Sequence, residues 1–195
     1  KNVHPHHLAN LVRVTVGKRP ARPAVVHGSP GCAYSADVRE NPLFRGVPFP
    51  DDRVVLRGCS FCASGGIGRR PAGETLQSVL AQVDNILATQ PDVAEIQVND
   101  QNPFPYLVLF LERVGERTKR PVSILIQPRA DWLLGAMPVM ERALQTAGRF
   151  GHRILLFLVG IESLSQRELD LYNKGVTVAH NERAVLECRR LREKY

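Results

Sequence analysis

Apolar positions change their spacing along the chain at about Arg53. Beyond that point, short apolar runs alternate with longer segments whose apolar residues recur every three or four positions. The short runs predict strands. They are RVVLRG (53–58), AEIQV (94–98), VSILI (122–126) and RILLFLVG (153–160). The longer segments predict helices over 74–89, around 107–114 and around 140–147. Four β/α units in series imply a parallel sheet with right-handed crossovers, and the nearly continuous apolar strands suit a sheet covered on both faces.

The first fifty residues show no comparable pattern. Seven prolines interrupt them, and only the alternating piece Leu11–Val16 suggests a strand. We therefore predict a loop-rich extension over residues 1–52 and an α/β domain over residues 53–195. The last predicted helix is still running at Tyr195, so we expect the chain to be part of a longer protein.

Each predicted strand runs into a polar or glycine-containing segment. These segments are GCSFC, NDQNPF, QPRAD and GIESLS. A doubly wound sheet and a barrel both fit the order of elements, but a barrel draws its site from the ends of several strands. Polar residues after all four strands favour the barrel, with the four segments meeting at one mouth.

Charge and hydropathy narrow the class of protein. The net charge of +7 over 195 residues is spread across several elements and forms no single run, so it gives little support to nucleic-acid binding, which stays open as an alternative. No apolar stretch reaches the roughly 18 to 20 residues that cross a bilayer. We expect a soluble, cytoplasmic protein without a membrane partner. The histidines of His4–His7 are interrupted by Pro5 and are expected to be an exposed polar stretch.

The four cysteines are too few for a disulfide framework in a chain of this length. Cys59 and Cys62 have the spacing of a zinc site, an iron–sulfur site or a redox dithiol. Cys188 falls on an apolar helical stripe, which predicts a buried structural thiol. Cys32 lies in a loop flanked by proline and glycine and is the candidate third ligand.

Two segments resemble the radical S-adenosylmethionine (radical SAM) superfamily. Cys59-Ser60-Phe61-Cys62 after a strand is similar to the second half of the family's C-x-x-x-C-x-aromatic-C motif, and LVGIESLSQRELDLYNKGVT (158–177) is similar to its fourth strand and following helix. The resemblance implies an α/β fold, a partial TIM-like (β/α)6 barrel truncated here at about the fourth unit. It also implies a [4Fe–4S] cluster on three cysteines, S-adenosylmethionine (SAM) on the fourth iron, and an external electron donor of the flavodoxin or ferredoxin type. The substrate is not indicated.

The chain departs from the family pattern at the first cysteine. Val55 stands where that cysteine is expected, so Cys32 becomes the candidate, with 26 residues between it and Cys59. The inserted segment must then return to the barrel mouth, with Leu43, Phe44, Val47 and Phe49 available to pack there. We predict that the Cys32 sulfur lies within about 4 to 7 Å of the other two cysteine sulfurs.

The resemblance also implies roles for residues beyond the cysteines. Phe61 would lie near the adenine, Asn99 and Asp100 near the SAM ammonium, and Arg129 near the SAM carboxylate. The remaining implied SAM contacts are Gly160, Glu162 and Ser163. Lys174 is interpreted as a helix C-terminal cap, and the glycines at 65, 66 and 68 as a flexible loop. A zinc-binding or dithiol redox module without catalysis is the alternative function.

Overall fold

The computed structural model describes residues 14–16, 19–21, 23–49, 57–62, 64–65 and 67–195. The histidines of His4–His7, most of the strand expected at 53–58, and the boundary expected between residues 52 and 53 lie outside the described residues.

Six β-strands are formed by the described residues. They are β1 (Val14–Val16), β2 (Arg19–Ala21), β3 (Pro23–His27), β4 (Glu95–Asn99), β5 (Ser123–Ile126) and β6 (Arg153–Leu156). Strands β1 and β2 pair in antiparallel fashion, whereas β3, β4, β5 and β6 form a four-stranded parallel sheet in that order. The predicted α/β class and parallel sheet are confirmed, while closure into a (β/α)6 barrel stays a prediction.

The edge strand β3 corrects the expectation for the first fifty residues. Proline breaks a central strand because it lacks an N–H group, but it is tolerated at the first residue of an edge strand. Pro23 occupies that position, and Ala24 and Val26 behind it are fully buried. The strand suggested by Leu11–Val16 is confirmed at Val14–Val16, but the expectation that the rest of this region is irregular was wrong, because Pro23–His27 belongs to the main sheet.

Helices follow the strands in the order that the sequence predicted. They are α1 (Ala72–Thr89), α2 (Phe104–Arg117), α3 (Ala130–Gly135), α4 (Met137–Arg149), α5 (Gln166–Leu171) and α6 (Val178–Lys194). Two short 3-10 helices, Val38–Glu40 and Pro42–Phe44, lie in the connection from β3 to α1.

The chain divides into two compact units. The first comprises residues 1–29, 70–128 and 136–159 and contains the four-stranded sheet. Burial alternates along its strands: Ile96, Val98, Ile124 and Ile126 are fully buried, whereas the positions between them are half-buried. The two faces of the sheet are therefore covered to different degrees: the apolar runs predicted cover on both faces, and one face is only half-buried.

The second unit comprises residues 30–69, 129–135 and 160–195. In it, α3 packs against α6, and Thr177 caps α6 by accepting a hydrogen bond from the His180 N–H. Asn181 is fully buried and donates to the carbonyls of Ile161 and Ser163 at 2.8 and 2.7 Å. Cys188 is half-buried, and burial raises the pKa of its thiol, as befits a packed, inert cysteine.

Candidate functional site

All three candidate cluster cysteines lie on one connection, between β3 and α1. Cys32 follows the last residue of β3 by five positions, and Cys59 and Cys62 precede α1. In parallel α/β folds this kind of connection leaves the carboxyl end of a strand, where ligands gather. The first strand of the sheet therefore leads directly into the cysteine segment.

The segment after Cys32 pairs with the segment before Cys59. Asp37 and Arg57 form an isolated antiparallel bridge, and the Gly58 N–H donates to the Ala36 carbonyl at 2.9 Å. The segment between Asp37 and Arg57, which we call the excursion, therefore begins and ends at neighbouring points of the connection. The expected return of the inserted segment to a barrel mouth stays a prediction. Of the four apolar side chains expected to pack there, Phe44 and Phe49 are half-buried, whereas Leu43 is 49% exposed and Val47 is 47% exposed.

Two glycines allow the connection to fold tightly upon itself. A Cβ at Gly65 would lie 1.6 Å from the Arg57 carbonyl oxygen, and one at Gly31 would lie 2.1 Å from the Ile67 carbonyl oxygen. The latter contact joins the start of the connection to its end, where the Arg69 guanidinium also donates to the Gly31 carbonyl at 3.3 Å. Gly65 was interpreted as a source of flexibility, but it is a position where two backbones touch.

The end of α5 holds the Cys59–Cys62 loop in place. The Ser60 N–H donates to the Tyr172 carbonyl at 2.8 Å, and its hydroxyl donates to the Leu171 carbonyl at 3.0 Å. The Asn173 side-chain amide donates a hydrogen bond to the Gly58 carbonyl at 2.8 Å. The Phe61 and Tyr172 rings pack edge to face, with 5.4 Å between the ring centres. Sequence reasoning missed Ser60 and Asn173 as anchors. Phe61 is 55% exposed, and its predicted place near an adenine stays a prediction.

Both cysteine sulfurs of the pair accept hydrogen bonds. Arg129 Nη1 donates to Cys59 Sγ at 3.4 Å, and the Ser64 N–H donates to Cys62 Sγ at 3.4 Å. Burial raises the pKa of Cys59, while the cations of Lys174 and Arg129 oppose the rise and a Cys32 thiolate adds to it. The distance of about 4 to 7 Å expected between the Cys32 sulfur and the other two cysteine sulfurs stays a prediction. The four cysteines are free thiols.

Arg129 is a buried cation beside the cysteine pair. Its side chain is 4% exposed and donates to both carboxylate oxygens of Asp131, at 3.0 and 3.2 Å, and to the Lys174 carbonyl at 2.8 Å. The guanidinium also lies 4.4 Å from the centre of the Tyr34 ring. Burial alone would lower the pKa of Arg129, but Asp131 and the neighbouring thiolates more than offset this and raise it. The expected pairing with a SAM carboxylate stays a prediction, and it would compete with Asp131 for the same donors.

Glu162 and Lys174 form an ion pair in the same unit. Lys174 Nζ lies 2.5 Å from Glu162 Oε2, and the Lys174 side chain is 3% exposed. Gly160 borders this pair, because a Cβ there would lie 3.1 Å from Lys174 Nζ and 3.2 Å from Glu162 Oε1. Glu162 has a φ of 58°, an unusual value for a residue other than glycine and one that often marks a functional position. The interpretation of Lys174 as a helix cap alone was incomplete.

Ser163 is engaged locally. Its hydroxyl contacts the Glu168 carboxylate and accepts the Ser165 N–H at 2.9 Å, at the start of α5. Its predicted contact with a ribose stays a prediction.

Asn99 and Asp100 belong to the first unit. Asp100 is 2% exposed and accepts hydrogen bonds from the Ser29 N–H at 3.0 Å, the Asn102 N–H at 2.8 Å and the Tyr106 hydroxyl at 2.8 Å. These neutral donors make Asp100 an anchor for the loop that follows β4. The predicted contact of Asn99 and Asp100 with the SAM ammonium stays a prediction.

Within the described ranges, no group of three or more His, Cys, Asp or Glu side chains is arranged to hold a metal ion. The ligand set Cys32, Cys59 and Cys62 therefore stays a prediction. Among the helices of the described segments, none is long and apolar enough to cross a membrane.

Comparison with known proteins yields one structural similarity. No protein-family profile matches the chain, and no curated protein matches it. The fold is similar to a solved structure of an apo, selenomethionine-labelled cobalamin-dependent S-adenosylmethionine radical enzyme, OxsB, with a TM-score of 0.48 and 18% sequence identity. The match covers 84% of this chain and 22% of that one, so this chain spans about a fifth of the length of OxsB.

Proposed function

We propose that this chain is the cluster-binding part of a radical SAM enzyme, with Cys32, Cys59 and Cys62 holding a [4Fe–4S] cluster. The observation that carries the proposal is the pairing of Ala36 and Asp37 with Gly58 and Arg57. Because of this pairing, a cysteine 27 positions upstream of Cys59 belongs to the same compact connection.

The donor set fits such a cluster. Iron–sulfur clusters are held by cysteine thiolates, and N–H groups that donate to the sulfurs help to set the reduction potential. Cys59 and Cys62 each accept one such hydrogen bond, and neither is in a disulfide. Three thiolates would leave one iron for SAM. When bound, the cluster would supply the electron that cleaves SAM to a 5′-deoxyadenosyl radical, which abstracts hydrogen from the substrate.

The buried cations next to Cys59 would assist by offsetting thiolate charge. Arg129 donates directly to the Cys59 sulfur, and the positive charge of Lys174 also favours the Cys59 thiolate. Asp131 fixes the orientation of the Arg129 guanidinium through two hydrogen bonds. Arg129 and Lys174 would therefore favour the thiolate form of Cys59, which is the form that binds iron.

Binding of SAM and of an electron donor extends the proposal. The residues proposed to contact SAM are Phe61, Asn99, Asp100, Arg129, Gly160, Glu162 and Ser163. A flavodoxin- or ferredoxin-type protein would deliver the electron, and a net charge of +7 would steer an acidic protein of that type toward this chain. The sheet would form the first part of a (β/α)6 barrel.

Anaerobic reconstitution tests the proposal. We expect about four irons and four sulfides per chain, SAM cleavage under reduction, and loss of both in Cys32→Ala, Cys59→Ala and Cys62→Ala. Cys188→Ala is the matched control, because Cys188 lies in α6, away from the cysteine connection in the sequence. A Cys32→Ala variant with unchanged iron content and SAM cleavage would contradict the three-cysteine site.

The same experiment separates the alternatives. Stoichiometric zinc without iron in anaerobically purified protein would indicate a structural zinc module. A reversible Cys59–Cys62 disulfide that persists in Cys32→Ala would indicate a dithiol redox protein. The structure favours the dithiol less, because burial raises the pKa of Cys59, whereas a reactive dithiol needs a thiol of lowered pKa.

A further inference from the structure

Two aromatic rings contact the buried Arg129 guanidinium in the second unit. The guanidinium carbon lies 4.4 Å from the centre of the Tyr34 ring and 5.2 Å from the centre of the Trp132 ring. Both distances fall within the roughly 6 Å over which a cation is attracted to the face of a ring, and the attraction is stronger when the cation is desolvated. Arg129 is 4% exposed, so both contacts are of the stronger kind. We call Tyr34 and Trp132 the aromatic pair.

The two rings of the aromatic pair come from different segments of the unit. Trp132 lies in α3, three positions after Arg129, and the fully buried Leu133 next to it donates its N–H to the Arg129 carbonyl at 3.0 Å. Tyr34 lies on the cysteine connection, and its ring packs against the backbone of Gly175. A Cβ at Gly175 would lie 2.6 Å from Tyr34 Cε2, and its φ of 68° also suits glycine. Both rings are therefore held by their own surroundings.

Hydrogen bonds fix the edge of the guanidinium over which the rings lie. An arginine side chain has five N–H groups. Four of them donate to described residues: Nε and one Nη2 N–H to the Asp131 carboxylate, the other Nη2 N–H to the Lys174 carbonyl, and one Nη1 N–H to Cys59 Sγ at 3.4 Å. A SAM carboxylate could therefore accept one hydrogen bond, from the second Nη1 N–H, without displacing Asp131. The aromatic pair adds no hydrogen bond to Arg129, but it restricts the plane in which the guanidinium lies.

We propose that Tyr34 and Trp132 are positioning residues that hold Arg129 against the Cys59 sulfur and thereby raise the reduction potential of the cluster. The effect on the potential rests on the proposed function, whereas the position of Arg129 does not. Reduction by one electron adds a negative charge to the cluster, and an N–H donor or a buried cation beside a ligand sulfur stabilises the reduced form. Without the aromatic pair, the guanidinium would turn away from the sulfur and this stabilisation would be lost.

The position of Arg129 gives a first test on the unmodified 195-residue chain without iron. In 1H–15N NMR, its Nε–H signal should be shifted upfield by the aromatic rings, and Arg129→Lys assigns the signal by removing it. The proton should exchange with water roughly ten- to hundredfold more slowly than those of exposed arginines, the range for one hydrogen bond to a charged group. Trp132→Leu and Tyr34→Leu should each reduce the upfield shift. An unshifted signal, or exchange as fast as that of exposed arginines, would overturn the proposal.

The reduction potential gives the second test, by potentiometric titration of the reconstituted cluster with electron paramagnetic resonance as the readout. Tyr34→Leu and Trp132→Leu should each lower the midpoint potential by about 30 to 60 mV, which corresponds to a roughly three- to tenfold loss at 59 mV per tenfold. Tyr34→Phe and Trp132→Phe keep an aromatic face and should restore most of the potential. Tyr195→Leu is the matched control, because the Tyr195 ring also contacts a cation, Lys194 Nζ at 5.0 Å, but at the end of α6.

A double variant separates positioning from shielding of the cluster. If the indole acts through the guanidinium, adding Trp132→Leu to Arg129→Gln should not lower the potential below that of Arg129→Gln alone. An additive fall would mean that the ring acts on the cluster directly, by excluding water, and would overturn the proposal. Two other results would also overturn it: an unchanged potential in both leucine variants, or equal shifts in the leucine and phenylalanine variants.

Failure of this proposal and failure of the proposed function give different results. If no cluster forms, the proposed function and the effect on the potential both fail, while NMR of the iron-free chain still shows whether the aromatic pair holds Arg129. If the cluster forms with unchanged iron content and its potential does not respond to the leucine variants, the positioning role fails and the cluster proposal stands.

Discussion

Gly65→Ala should disrupt the cysteine connection, whereas Gly68→Ala should not. A Cβ at residue 65 would lie 1.6 Å from the Arg57 carbonyl oxygen, and real Cβ contacts are not shorter than 3.0 Å, so the two backbones must separate by at least 1.4 Å (3.0 − 1.6). The displaced segment carries the Gly58 hydrogen bonds to Ala36 and from Asn173. At about 0.5 to 1.5 kcal/mol each, their loss would lower the free energy of unfolding by about 1 to 3 kcal/mol.

The assay is urea unfolding at neutral pH, followed by iron analysis after anaerobic reconstitution. A Cβ at Gly68 meets no atom within 4 Å, so the stability and iron content of Gly68→Ala should match the unmodified chain. If Gly65→Ala and Gly68→Ala have the same free energy of unfolding within about 0.5 kcal/mol, the close approach of the two backbones at Gly65 does not contribute to stability, and the reasoning is refuted. If they differ in stability but bind equal iron, the glycine serves folding alone.

Two further substitutions probe buried charge in each unit. Glu162→Gln should lower the free energy of unfolding by about 3 kcal/mol, because it leaves Lys174 buried without its carboxylate. Glu182→Gln, at an exposed position of α6, is the control. Equal losses of stability in the two variants would contradict the pairing of Glu162 with Lys174. Burial lowers the pKa of His152, whose Nδ1 accepts the Val122 N–H at 3.3 Å. The unfolded chain then binds more protons, so stability should fall as the pH drops below about 6.5, the unperturbed value. Thermal unfolding between pH 7 and 5 should show this component in the unmodified chain and lose it in His152→Leu; an unchanged pH slope would refute it.

The spacing of apolar residues along the chain was sufficient to predict the strands of the sheet in which buried and less buried positions alternate. Strands β4, β5 and β6 overlap the predicted apolar runs, and alternate residues of β4 and β5 are fully buried in the core. Strand β3 escaped prediction because Pro20, Pro23 and Pro30 surround it, and a pattern along the chain does not show that a proline sits at the start of an edge strand.

The candidate site was predictable in its chemistry but not in its contacts. Cysteine spacing identified Cys59 and Cys62, and the need for a third thiolate identified Cys32. The supporting contacts join residues far apart in sequence, such as Asn173 with Gly58 and Arg129 with Cys59. Lys174 looked like a surface cap because a sequence pattern does not reveal that a lysine is buried against a glutamate.

The 26 residues between Cys32 and Cys59 do not indicate how far apart the two cysteines lie, because the two ends of the excursion are paired with each other. Ala36 and Asp37 meet Gly58 and Arg57, so residues can be added at the exposed positions 45–48 while the cysteines keep their places. Doubling such a loop costs only about 0.6 kcal/mol in closure entropy. Related chains could therefore share this cysteine geometry while differing widely in the first spacing, and the excursion is a natural position for grafting a tag or a binding loop.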